Sequence, residues 1–215
     1  MVSPSDSALD LWRRAWAFPA RDAVVVPHVR LVARGPAAAS DADRPLRIAF
    51  AGVPAPHKGW PVFRELALRH ADDPRYEFHH FGAQAPAGLP VVFHPVSAGG
   101  PEPLAMRRAL EAAQIDAALI WPLCRETFSF TAHEAVAAGA AVITNPDSGN
   151  VAAFVAQGGH GPVLADESAL AAAFETGDIL ELARARRRPK LYDLEYSALT
   201  MDLIAPQTAT GEARA

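Results

Sequence analysis

Apolar residues gather in short runs broken by glycine, proline or charge, and their spacing switches repeatedly between strand and helix periods. Leu46-Arg47-Ile48-Ala49-Phe50-Ala51 reads as a buried strand ending at Gly52. Trp60 to His70 is helical, and Tyr76 to Phe81 is a strand that stops at Gly82. The pattern continues with a short strand at Val91 to His94, a helix at Pro103 to Ala113 and a strand at Asp116 to Trp121. A helix at Thr131 to Ala138 and a strand at Ala140 to Thr144 follow. Two further helices, Val151 to Ala156 and Ser168 to Phe174, flank a weak strand at Pro162 to Leu164. The strands are apolar throughout rather than alternating, as strands covered on both faces must be. This predicts an α/β fold, a Rossmann-like doubly wound parallel sheet in a single domain.

The ends read differently. Residues 4 to 17 place Leu9, Trp12, Ala15 and Trp16 near helical spacing, Pro19 stops the pattern, and Val24-Val25-Val26 is a short strand. Gly35 to Pro45 is rich in Ala, Asp and Pro and reads as a linker. The expected organisation is an N-terminal helical arm, short strand and linker over 1–44, the Rossmann-like domain over 45–190, and a C-terminal tail over 191–215. The basic run Arg184 to Lys190 reads as a solvated helix end, and disorder is expected after Pro206.

Composition narrows the class. At 215 residues the chain suits one core and is too short for two full-sized α/β domains. Half of it is hydrophobic, and 20 Lys+Arg against 24 Asp+Glu give a weakly acidic balance. Neither a nucleic-acid partner nor a charged membrane surface is indicated. Cys124 is the only cysteine, which excludes an intrachain disulfide, points to a reducing, cytoplasmic compartment, and reads as a buried core thiol. Asp6, Asp10, Arg13 and Arg14 precede any long apolar run, unlike an ordinary signal peptide. No apolar stretch reaches the roughly 20 residues of a membrane-spanning helix, so no integral membrane segment is expected.

In a doubly wound sheet, ligands sit beyond the carboxyl ends of the strands, where strand order reverses. Three loops therefore matter: Gly52 to Gly59, Gly82 to Pro90 and Pro122 to Thr131. The first, Gly52-Val53-Pro54-Ala55-Pro56-His57-Lys58-Gly59, would aim an ammonium and free backbone N–H groups at an anion. It is no Walker loop, since Lys precedes Gly and no Ser or Thr follows, and Lys58 is equally readable as a solvated helix-start residue. In the third, Glu126 and Glu134 bracket Thr127-Phe128-Ser129-Phe130-Thr131-Ala132-His133. Backbone N–H groups of Phe128, Ser129 and Phe130 at a helix start could receive a diphosphate, with a carboxylate on either side for hydroxyl groups. The competing reading is local: Thr131-x-x-Glu134 matches a capping box, and Glu126 fits an exposed loop carboxylate. No histidine, cysteine or carboxylate spacing matches a metal motif; His79 and His80, adjacent on a strand, point to opposite faces.

The series Ile48-Ala49-Phe50-Ala51-Gly52, His57-Lys58-Gly59, Trp121-Pro122, Glu126-Thr127-Phe128 and Glu134-Ala135-Val136-Ala137-Ala138-Gly139-Ala140-Ala141-Val142-Ile143 resembles the C-terminal, donor-binding half of a GT-B retaining glycosyltransferase. It is most similar to family four, whose hallmark is Glu, seven residues, Glu, and the likeness runs over about residues 24 to 175. The resemblance implies one half of a GT-B fold, a nucleotide-diphosphosugar as substrate, and no cofactor or metal. It places Lys58 on the donor diphosphate, Glu134 on the ribose, Glu126 at the donor sugar, and the backbone around Phe128 and Ser129 at the phosphates. Gly52, Gly59 and Thr127 complete that donor-binding set. Three positions depart from the family pattern: Val53 where Arg is frequent, Ser129 after Phe128 where Gly is frequent, and Asn145 to Asn150 where a Gly-Gly segment is common. A complete enzyme of this kind has a second half that binds the acceptor. The expected partners are therefore a nucleotide sugar and either an acceptor-binding half or a second copy; the alternative is a non-catalytic α/β interaction domain.

Overall fold

The computed structural model describes residues 1–17, 19–37, 43–97, 102, 104–184 and 190–197. The expected helix start at Pro103, most of the Arg184 to Lys190 run and the residues after Pro206 lie outside them. The central sheet contains β4 (Leu46–Ala51), β5 (Tyr76–Gly82), β6 (Val92–Pro95), β7 (Ala117–Leu119) and β8 (Ala141–Ile143), all parallel, in the order β6-β5-β4-β7-β8. Strand order reverses between β4 and β7, so the topological switch point falls there.

Strands β4, β5, β7 and β8 bury both faces, as the continuous apolar runs require, while the edge strand β6 is partly exposed. Leu46, Ile48 and Phe50 pack on one side against α2 (Trp60–Arg69), α6 (Glu167–Thr176) and α7 (Asp178–Arg184), around Phe63, Phe174 and Ile179. Ala49, Ala118 and Val142 face α3 (Ala105–Ala112), α4 (Phe130–Ala137) and α5 (Asn150–Gly158) on the other. This is the doubly wound arrangement expected from the sequence. The weak strand at Pro162 to Leu164 survives as a single bridge, Thr144 to Val163.

Two additions lie outside the sheet. The first 36 residues hold β1 (Val2–Ser3), α1 (Asp6–Ala15), β2 (Val24–Val25) and β3 (Val29–Pro36); β1 pairs with β2, and α1 packs on α5. Strand β3 pairs antiparallel with β9 (Lys190–Tyr196), and this ribbon lies along α4. Residues 191 to 196, expected as tail, are thus a strand. The pairing joins Arg30 with Glu195, Leu31 with Leu194 and Val29 with Tyr196, across a sequence distance that local patterning cannot register. No helix among the described residues is long and apolar enough to cross a membrane.

Candidate functional site

Chain exit from β4 sets the first wall of the site. Gly52 takes φ +113°, a region that favours glycine, and donates its N–H to Phe81 O at 2.8 Å. After Pro54 the chain makes a 3-10 turn, Pro56–Lys58, and Gly59 at φ +83° starts α2. The amides at the Lys58-Gly59 step itself are not free. Lys58 donates to Ala55 O, Gly59 to Pro56 O and Trp60 to Ala55 O, because a 3-10 turn consumes its own donors. What the turn offers an anion is the Lys58 ammonium, on a half-exposed side chain.

The second wall is the chain leaving β7. Leu123 N–H bonds to His57 O at 2.9 Å, tying this loop to the Lys58 turn. Gly59 sits so close to Trp121 that a Cβ there would lie 2.1 Å from Trp121 O. Glu126 is fixed by its backbone: its N–H reaches Ser148 O at 3.2 Å and its carbonyl accepts from Asn150 N at 2.9 Å. The Asn145 to Asn150 segment therefore acts as a clamp. Ser148 Oγ donates to Asn145 O at 2.7 Å, and Gly149 at φ +69° lets the backbone of Glu126 approach. The outcome is an ion pair at the switch point, Lys58 Nζ to Glu126 Oε1 at 2.6 Å, with the Glu126 side chain mostly buried. Two residues singled out 68 positions apart are brought into contact.

Helix α4 begins one step earlier than expected, and the cap is Ser129, whose Oγ accepts from Ala132 N at 3.2 Å. Thr131 is already inside the first turn, so the capping box fails and Glu134 is left without a capping task. Among the described residues, the N–H groups of Phe128, Ser129, Phe130 and Thr131 have no acceptor. They are four donors at the positive end of a helix dipole. Phe128 stacks on His133 at 4.5 Å and packs edge-on to His28 at 5.0 Å, while Thr127 O accepts from Ser5 Oγ at 2.7 Å. The N-terminal arm thus braces the loop.

Glu134 lies a turn further along. No hydrogen-bond partner reaches its side chain among the described residues, and burial raises its pKa to about 7. Burial raises the pKa of Tyr196, the Glu134 carboxylate raises it further and Arg107 of α3 lowers it, which places β9 beside both groups. Arg107 is buried, bonds Glu111 Oε2 at 2.9 Å, and leaves Nε unpaired. Neither Tyr196 nor Arg107 was flagged by the sequence, since both depend on the β3–β9 pairing and on α3–α4 packing. Alternation of Tyr192, Leu194 and Tyr196 with Asp193 and Glu195 was the one available signal for β9.

Cys124 is exposed, contrary to expectation, because the chain has left the sheet at Pro122 and faces outward over residues 123 to 125. Among the described residues, no group of three His, Cys, Asp or Glu side chains converges to hold a metal ion.

No protein-family model matches this chain, and no curated protein does. Solved structures do. The chain is similar to the GtfA/B complex, with a TM-score of 0.56 and 14% identity over 85% of its length and 40% of that chain. WaaG, a glycosyltransferase involved in lipopolysaccharide biosynthesis, gives 0.52 and 16% over 86% of this chain and 57% of its own. The pneumococcal O-GlcNAc transferase GtfA, solved with UDP and GlcNAc, gives 0.53 and 16% over 86% and 40%. The chain spans about half the length of these structures or less. At such identities the likeness shows the fold alone: a Rossmann-like α/β half of the kind found in GT-B glycosyltransferases.

Proposed function

We propose that this chain binds a nucleotide-diphosphosugar and serves as the donor-side half of a retaining, metal-independent glycosyltransferase in polysaccharide or glycoconjugate assembly. The observation that carries this reading is the Lys58–Glu126 pair at the switch point, beside the open N-terminus of α4. A diphosphate there takes hydrogen bonds from the Phe128 to Thr131 amides and charge from Lys58. Shifting Lys58 toward phosphate frees Glu126 to accept hydroxyl groups of the sugar. Glu134 accepts the ribose hydroxyls. As the donor bond breaks, negative charge grows on the leaving diphosphate, where the helix amides and the shifted Lys58 ammonium stabilise it. The acceptor and the opposite wall of the cleft come from another GT-B half.

Binding should depend on pH through Glu134. Ribose hydroxyls donate to the carboxylate, so the ligand prefers the ionised form, and affinity falls as pH drops below about 7. Titration calorimetry of a nucleotide-diphosphosugar panel tests the reading. Lys58→Ala and Glu134→Ala should each weaken binding by about tenfold or more, on the scale of a lost charged hydrogen bond. Absence of binding at millimolar ligand, or binding indifferent to both substitutions, removes the proposal.

One observation favours a second reading, a non-catalytic interaction domain. Val53 and Leu123, on the two loops that carry Lys58 and Glu126, are 72% and 58% exposed. Light scattering that shows self-association, with no nucleotide bound, supports it.

A further inference from the structure

His133 is buried in the first turn of α4 and takes no part in the donor contacts given above. Its ring is sandwiched between Phe128, 4.5 Å away and inclined by 17°, and Phe154 of α5, 4.1 Å away and inclined by 22°. Its Nδ1 lies 2.8 Å from Ser129 O, and a carbonyl only accepts, so Nδ1 carries the proton. Burial pushes the pKa of His133 below the usual 6.5, against the pull of that hydrogen bond. The ring is therefore neutral at pH 7, and Nδ1–H is its one donor. The same carbonyl also accepts from the main-chain N–H of His133, but at 3.4 Å, long for such a bond. At the start of α4 the imidazole thus reinforces a weak backbone bond with a short one.

The carbonyl that His133 holds belongs to the peptide group that ends in the N–H of Phe130. That group is planar and trans, so its C=O and N–H point in opposite directions. Tying Ser129 O to His133 therefore turns the Phe130 N–H out of the helix, where it joins the donors of residues 128 to 131 that have no acceptor among the described residues. The stacked ring of Phe128 holds the residue before Ser129 in the same way. An anion gains most from donors already aimed at it, because turning them at the moment of binding costs affinity. We infer that His133 is a positioning residue for the donor diphosphate: its Nδ1–H holds the Ser129–Phe130 peptide so that the Phe130 amide faces the phosphates. This rests on the donor-site reading given above and adds to it a residue that touches no ligand.

The experiment is calorimetry of the whole chain with inorganic pyrophosphate, on wild type, Lys58→Ala, His133→Phe and His133→Asn, with thermal unfolding of each. His133→Phe keeps a ring between Phe128 and Phe154 but loses the donor, whereas His133→Asn places its Nδ2 where Nδ1 stood and loses the ring. His133→Phe should weaken pyrophosphate by roughly tenfold while unfolding near the wild-type temperature. His133→Asn should unfold at a lower temperature yet bind within about threefold of wild type. A residue that served stability alone would order the two variants the other way, with better binding where the ring is kept. That order overturns the proposal, as do equal losses in both variants. Binding that needs Lys58 yet is unchanged in His133→Phe overturns it too and leaves the donor site standing. Failure of wild type to bind pyrophosphate at millimolar concentration overturns the proposal and the donor reading together.

Discussion

Glu134→Gln should make the fold more stable at pH 8, by about 2 kcal/mol, while removing most nucleotide affinity. Burial raises this carboxyl from an ordinary 4.5 to about 7 in the folded chain. The folded state therefore holds the proton more tightly than the unfolded state. Stability from this group is full below pH 4.5, declines as pH rises from there to about 7, and stays reduced above. A pKa raised this far costs the ionised fold roughly 3 kcal/mol, trimmed to about 2 for the water that still reaches the side chain. Glutamine carries no charge, so its advantage is small at pH 5 and complete at pH 8. Urea unfolding midpoints at the two pH values give the answer. A midpoint change of the same size at both would show that the carboxylate is not strained by burial.

Gly59→Ala should be the most damaging single methyl group in the site, at about 3 to 4 kcal/mol. The residue is at φ +83°, where an L side chain costs roughly 1 to 2 kcal/mol. The new Cβ would also stand 2.1 Å from Trp121 O, a backbone atom at the end of β7 that has no rotamer to change. Overpacking of that sort adds about 1 to 3 kcal/mol. Relief requires the 56–58 turn to lift away, which breaks the bond from Leu123 N to His57 O and carries Lys58 off Glu126. Thermal unfolding should fall by roughly 10 °C, and Gly52→Ala is the control. Gly52 has φ +113° but no atom within 4 Å of its Cβ position, so it loses the conformational part only. Equal losses for the two variants would mean that the contact with Trp121 yields.

Strands β4, β5, β7 and β8 were legible because burial on both faces writes itself as an uninterrupted apolar run, and Gly52 and Gly82 mark where β4 and β5 end. From those strands the switch point followed, and with it the loops that carry Lys58 and Glu126. Hydrogen bonds that depend on the exact turn were not legible. Lys58-Gly59 looks like a helix start with spare amides, but the 3-10 turn before it uses them. Ser129 and Thr131 are both good caps, and the two-position offset between them decides whether Glu134 has a capping task. Cys124 sits in a segment apolar enough to suggest burial, yet Pro122 has already ended the strand. Tyr196 and Arg107 depend on contacts far apart in sequence, and the ribbon that brings Tyr196 to α4 pairs residues on either side of the whole domain.

Backbone amide resonances followed on titration with a nucleoside diphosphate give the most direct test of the donor site. A ligand held between Lys58 and the start of α4 must move the amide resonances of residues 128 to 131 and that of Glu126, and the Lys58→Ala variant must show smaller movements at the same ligand concentration. Changes confined to other parts of the molecule, or none at millimolar ligand, would contradict it.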